Sequence, residues 1–187
     1  VNGPGQDESV PPTPLGEYPN SCVGRERIFQ YFSLRNECPG RLIRLNYAID
    51  LRYGVLQDIA LKVRAGEAID LRTGIANVIW QGDANDWILR SLGHVTAPSK
   101  PLNIGLTEPV KVRAVATRFG EIFGREPVFA HSEAENAWHS DCHEAARLFG
   151  APHINLETMI RWNADWLQRD MPRLNKPTHY EERGGVF

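Results

Sequence analysis

Tyr18, Ser21, Cys22 and Glu26 follow one another in the order Tyr-x-x-Ser-Cys-x-x-x-Glu. A phenol can give or take a proton, but its free pKa is about 10. Holding it as phenolate at pH 7 costs roughly 3 pH units, or about 4 kcal/mol. A cation one helical turn away offsets much of that cost. Cys22 holds that place and carries no such charge, while Arg25 and Arg27 lie three and five residues beyond it. Cys22 is itself a candidate nucleophile if it sits near a helix N-terminus, although no histidine neighbours it in sequence. Against the chemical reading, Tyr18 serves equally well as a surface or packing residue and Cys22 as an inert thiol.

Other groups have chemical potential by position. Arg44 and Asn46 close a strand-like run, and open α/β sheets bind ligands beyond such strand ends. Arg52 and Tyr53 are placed to reach a substrate phosphate or carboxylate, though a loop arginine is more often simply solvated. Asp83 precedes an apolar-periodic stretch and reads as a helix N-cap, or as a residue near the substrate. His131, His139, Cys142, His143 and His153 lie close in sequence, with His139 and His143 four apart. That spacing can bind zinc on one helix face. No Glu follows His139 to complete a His-Glu-x-x-His hydrolase motif, and Asp141 would start a helix between the histidines, so surface histidines with no metal are expected.

These residues need elements to hold them. Residues 1–19 are rich in Pro and Gly and read as an extended loop. Ile28, Phe29, Phe32 and Leu34 predict an amphipathic helix over residues 23–35. Pro39-Gly40 breaks the chain, and a strand follows over residues 41–48. Val55, Leu56, Ile59, Ala60 and Val63 predict a helix that Gly66 ends. Short strands are expected at residues 69–71, 76–80, 102–105 and 127–130. Helices are expected from Asp83, from Val112 to Gly124, from Asp141 (with Glu144 as a capping pair) to Gly150, and from Asn155. The tryptophans at 80, 87, 138, 162 and 166 read as core or packing residues, and the segment from 172 onward as a surface tail. Strands alternating with helices give an α/β fold.

Composition narrows the class. The 187 residues suffice for a domain with a sizeable core, and 42% hydrophobic with 24% charged residues is ordinary for a globular protein. A net charge of −2 gives no electrostatic reason for nucleic acid or an anionic membrane as partner. No apolar run has the length of a transmembrane span. Three cysteines without close spacing favour reduced thiols and a cytoplasmic setting.

The order of these pieces resembles the extended short-chain dehydrogenases, the NAD-dependent epimerase/dehydratase family. Tyr18, Ser21 and Glu26 fall on that family's Tyr-x-x-Ser-Lys-x-x-x-Glu frame, with Cys22 where the lysine stands. Residues 42–47 are similar to its Leu-Arg-x-x-Asn-Val-Tyr run, residues 78–84 to the segment ending Val-Asp-Asp-Val-Ala, and residues 102–115 to the stretch before the substrate-domain helix. The resemblance implies a C-terminal portion: residues 1–50 as the remnant of the nucleotide-binding domain, and residues 51–187 mainly as the substrate domain. It implies NAD or NADP, a nucleotide-sugar or similar hydroxylated substrate, Tyr18 as the proton-moving group, and room for a homodimer. The family's Gly-x-x-Gly-x-x-Gly loop has no counterpart here. The alternative is a non-catalytic relative that binds a dinucleotide or sugar nucleotide after losing the lysine.

Overall fold

The computed structural model describes residues 5–135 and 137–185. Helix α1 (Glu17–Arg35) leads into strands β1 (Arg41–Leu45) and β2 (Tyr47–Ile49), then α2 (Val55–Ala65) and β3 (Ala68–Asp70). Strands β4 (Ile75–Ala76) and β5 (Val78–Trp80) precede α3 (Gln81–Arg90) and a 3-10 turn at Ser91–His94. Strand β6 (Lys100–Ile104), β7 (Val110–Lys111), α4 (Val112–Phe123), β8 (Val128–Ala130), α5 (His143–Phe149) and α6 (Leu156–Gln168) complete the order. The expected α/β alternation is what the chain adopts.

The strands pair across long stretches of sequence. β1 runs parallel to β6, β2 parallel to β5 and β3 parallel to β8, while β4 and β7 form an antiparallel pair. Asn46 interrupts what the sequence suggested was one strand, so that β1 and β2 take different partners.

Two apolar cores follow. Val55, Leu56, Ile59, Ala60 and Val63 all face inward from α2 and meet Val112, Val115, Ala116 and Phe119 of α4 and Met159, Ile160 and Leu167 of α6. A second cluster joins Ile79, Trp87, Leu102, Ile104, Ala145 and Phe149, backed by the half-buried Ile43 and Leu45 of β1. Gly66 ends α2 at φ 75° and Gly124 follows α4 at φ 64°. That left-handed conformation is strained for any residue with a Cβ.

Four expectations need correction. Helix α1 begins at Glu17, six residues before the predicted start, because a proline such as Pro19 is tolerated in a first turn where the amides lack partners anyway. Its apolar residues also point outward: Ile28, Phe29, Tyr31, Phe32 and Leu34 are exposed. The helix docks instead through a small polar stripe. Ser33 Oγ accepts from both the amide and the hydroxyl of Ser99, Gln30 donates to the Ser99 carbonyl, and Glu26 meets Arg44. Trp138 and Trp162 are exposed, whereas Trp87 is fully buried. Finally, the tail does not simply lie on the surface: Thr178 donates to Asp58, Glu181 pairs with Lys62 at 2.6 Å, and Tyr180 is buried in the first core.

Candidate functional site

The expected reactive group comes first. Tyr18 lies in the first turn of α1 and is well exposed, with Ser21 Oγ donating to its carbonyl at 2.7 Å. Cys22 follows one turn later and is half-buried. Glu26, a further turn on, accepts a forked pair of hydrogen bonds from Arg44: Nη2 to Oε1 at 2.6 Å and Nε to Oε2 at 2.9 Å. Tyr18, Cys22 and Glu26 thus share one helical face by their spacing. Arg44 is committed to the far end of that face.

The remaining expected residues are dispersed. Asn46 donates to Ser140 Oγ at 3.4 Å. Arg52 forks onto Asp50 at 3.0 Å, and its hydrogen bond holds the Asp50 carboxyl below the usual range. Tyr53 closes the same turn through paired backbone bonds with Asp50, and Lys176 stands 6.0 Å from its ring. Asp83 is not an N-cap, since the helix already begins at Gln81 with Trp80 in the cap position. Its buried carboxylate instead takes the Ile154 amide at 2.9 Å and contacts His153 Nδ1 at 3.0 Å. It ties α3 to the segment before α6.

The histidines do not converge. His143 contacts Asp141 at 2.7 Å and His153 contacts Asp83. Among the described residues no group of three or more His, Cys, Asp or Glu side chains is placed to hold a metal ion. Asp141 falls one place short of the predicted cap: Cys142 occupies it, and Asp141 accepts the His143 amide at 2.8 Å. Burial raises the Cys142 thiol to about 12, which keeps it neutral and unreactive.

At the carboxyl ends of β1 and β6 three segments are bound together. Asn103, almost fully buried, donates to the carbonyls of Gln6 and Asp141 and gives its amide to Glu8 at 2.8 Å. Asn77 holds the backbone of Trp138 and Ser140. The strap at residues 6–8 and the loop at 138–141 therefore wall the strand ends beside Asn46.

A second concavity lies elsewhere. A cavity of about 650 Å³ opens between the β4–β7 pair and α4, lined by Gly74, Lys111, Arg113, Ala114, Arg118 and Glu133 among others. Lys111 stands opposite Ile75 in the β4–β7 register and forms the cap of α4, whose first turn holds no acidic residue. Ala114, Thr117, Arg118 and Glu121 repeat at helical spacing on the face opposite the buried Val112, Val115 and Phe119. The small Ala114 and Thr117 leave the space, and the cations rim it.

Those cations differ in commitment. Arg118 is held by Glu157 at 2.7 Å and Glu121 at 2.6 Å. Arg113 lies over the Phe129 ring at 4.6 Å and forks onto Glu133 at 2.6 and 3.1 Å. Hydrogen bonds from Arg113 hold the Glu133 carboxyl at about 2. Lys111 is exposed and has no ion pair among the described residues. The cavity can therefore take an anion of moderate size, with an apolar floor for the rest of the ligand.

None of these cavity residues was legible as a site from sequence, because α4 shows itself there by its apolar stripe. The complementary stripe of 111, 113, 114, 117, 118 and 121 was the available signal. The cavity lining, for its part, includes none of Tyr18, Cys22, Arg44, Asn46, Arg52, Tyr53 or Asp83.

No protein-family model and no curated protein matches the sequence. Solved structures do match. Thermotoga maritima UDP-glucose 4-epimerase with UDP-glucose superposes with a TM-score of 0.70 at 16% identity, covering 91% of this chain and 59% of that one. Bacillus cereus UDP-glucuronic acid 4-epimerase with NAD gives a TM-score of 0.73 at 14% identity, covering 90% and 57%. The Thermus thermophilus UDP-glucose 4-epimerase complex with NAD gives 0.69 at 16%, covering 90% and 59%.

The chain has the fold of these epimerases.

It corresponds to their C-terminal portion and spans less than two thirds of their length. Within the epimerase fold a dinucleotide needs a glycine-rich turn at a helix N-terminus. No described strand here leads into such a turn; α2 opens with the single Gly54, and α3 follows β5 directly. These residues therefore do not by themselves form a cradle for a dinucleotide's phosphates.

Proposed function

We propose that these residues form the substrate-binding part of an NAD(P)-dependent epimerase/dehydratase-like oxidoreductase, acting on a nucleotide-sugar or similar hydroxylated substrate. The observation that carries this reading is the cation-rimmed cavity beside β4, β7 and α4, set in a fold whose solved examples hold UDP-glucose and NAD. Lys111 and Arg113 would meet the diphosphate, and the floor of small residues would take the nucleoside. Tyr18 would give or take the proton at the reacting hydroxyl. NAD or NADP would be held chiefly by a nucleotide-binding half acting together with residues 1–50, with residues 51–187 forming most of the substrate domain. A cytoplasmic setting and a homodimer belong to the same proposal.

Calorimetric titration with UDP-glucose tests it on this chain as it stands. Binding that Lys111→Ala and Arg113→Gln each weaken supports the reading. Absence of binding at millimolar ligand overturns it.

One observation favours a second reading, in which the protein binds a sugar nucleotide without turning it over. Cys22 supplies no charge at the turn after Tyr18, and Arg44, the cation on the adjoining strand, is taken by Glu26. UDP-glucose binding without conversion, in protein that includes a nucleotide-binding half and is supplied with NAD or NADP, would select this reading.

A further inference from the structure

Glu133 stands where a ligand's oxyanion would have to go. It reaches from the loop after β8 across to α4, placing both carboxylate oxygens on the fork of Arg113. At the same time its Cγ lies against Gly74, just before β4: a Cβ built on Gly74 would come within 3.1 Å of it. Gly74 thus leaves the room that lets this carboxylate span the cavity. The Arg113 fork presents two parallel N–H donors suited to one carboxylate or one phosphate at a time. Arg118, the next cation along the helix, is saturated by Glu121 and Glu157. Of the three cations lining the cavity, Lys111 has no ion pair among the described residues.

We propose that Glu133 is a built-in competitor for the anionic part of the ligand, so that Arg113 binds a diphosphate only by exchanging it for Glu133. The inference rests on the nucleotide-sugar reading of the cavity and adds to it a residue that sets selectivity. Trading one carboxylate for another singly charged group gains nothing at Arg113. A diphosphate gains, because it can engage Arg113 and Lys111 together. The internal carboxylate therefore discriminates against monoanions and tunes affinity downward for the ligand that does bind.

The test is a double-mutant cycle on the full 187-residue chain, read by calorimetry with UDP-glucose. Glu133→Gln keeps the size of the side chain and removes its charge; it is expected to tighten binding about three- to tenfold, the range of one exposed ion pair together with relief of repulsion. Arg113→Gln is expected to weaken binding, and Glu133→Gln placed on Arg113→Gln is expected to give no further gain. Circular dichroism confirms folding, with Glu133→Ala as the substitute should the glutamine variant fold poorly. Equal affinity of wild type and Glu133→Gln overturns the inference while leaving the cavity reading intact. A gain of the same size in the Arg113→Gln background also overturns it, since Glu133 would then act by general repulsion. Failure of every variant to bind UDP-glucose removes the cavity reading and the inference with it.

Discussion

Arg44 of β1 forks onto Glu26 of α1, with both side chains 23% exposed. The pair fastens a helix whose apolar residues make little of its contact with the rest of the described structure, so the polar link matters more than its kind usually does. A partly buried, two-pronged ion pair leaves an uncompensated charge when one partner is removed. Glu26→Gln is expected to lower stability by about 1–3 kcal/mol, read by urea unfolding followed through α-helical circular dichroism. Arg44→Lys should recover little of that loss because an ammonium cannot fork. A Glu26→Gln protein as stable as wild type would show that α1 is held by its Ser33–Ser99 contacts instead.

Tyr18 and Cys22 give the chemical prediction. General acid–base groups contribute about 10²–10⁴-fold to rate. Tyr18→Phe should therefore cost any nicotinamide-dependent turnover at least about a hundredfold, measured as conversion of UDP-glucose by protein that includes a nucleotide-binding half. Cys22→Lys should raise that turnover, since an ammonium one turn from the phenol favours its ionised form. Unchanged rates in Tyr18→Phe would remove the tyrosine from the mechanism.

Asp83 carries a structural prediction. Its carboxylate is almost fully enclosed and satisfies the Ile154 amide. Asp83→Ala leaves that donor without its partner and is expected to cost about 1–3 kcal/mol. Thermal unfolding would show it, and hydrogen exchange should rise first at the Ile154 amide.

Acid should weaken the fold in a defined window. The carboxyls of Glu133 and Glu157 are held at about 2 against an ordinary 4.5, chiefly by hydrogen bonds from Arg113 and Arg118. A group whose folded pKa is depressed stabilises fully above its unfolded value, and that contribution fades as pH falls through the folded one. Stability should therefore decline between about pH 4.5 and pH 2. Glu157→Gln should lower stability at pH 7 and flatten this limb, converging with wild type near pH 2. An acid limb of undiminished slope in that variant would place the titrating groups elsewhere.

Much of the fold was legible wherever local chemistry decides it. The apolar spacing of α2 and α4 and their closing glycines are short-range signals, and Asn155 caps α6 by accepting the Thr158 amide at 2.9 Å. Helix α1 was misread because its apolar residues do not mark its contact face; the polar Glu26, Gln30 and Ser33 do. Asp83 has the chemistry of a cap but is claimed by a partner seventy-one residues away. The cavity is illegible for a similar reason. Gly74, Arg113 and Glu133 come from three separate stretches of sequence, and nothing in their neighbours along the chain announces the meeting.

The parallel pairing has a kinetic consequence. Partners in β1–β6, β2–β5 and β3–β8 stand 59, 31 and 60 residues apart in sequence. Each pairing must close a long loop before its hydrogen bonds repay the lost chain entropy. Helices α2, α4 and α6 can form from local contacts, but the strands that align Asn46 and Asn103 must wait for distant partners. This topology puts refolding on the slow side for a chain of its length, with the carboxyl ends of β1 and β6 among the last parts to settle.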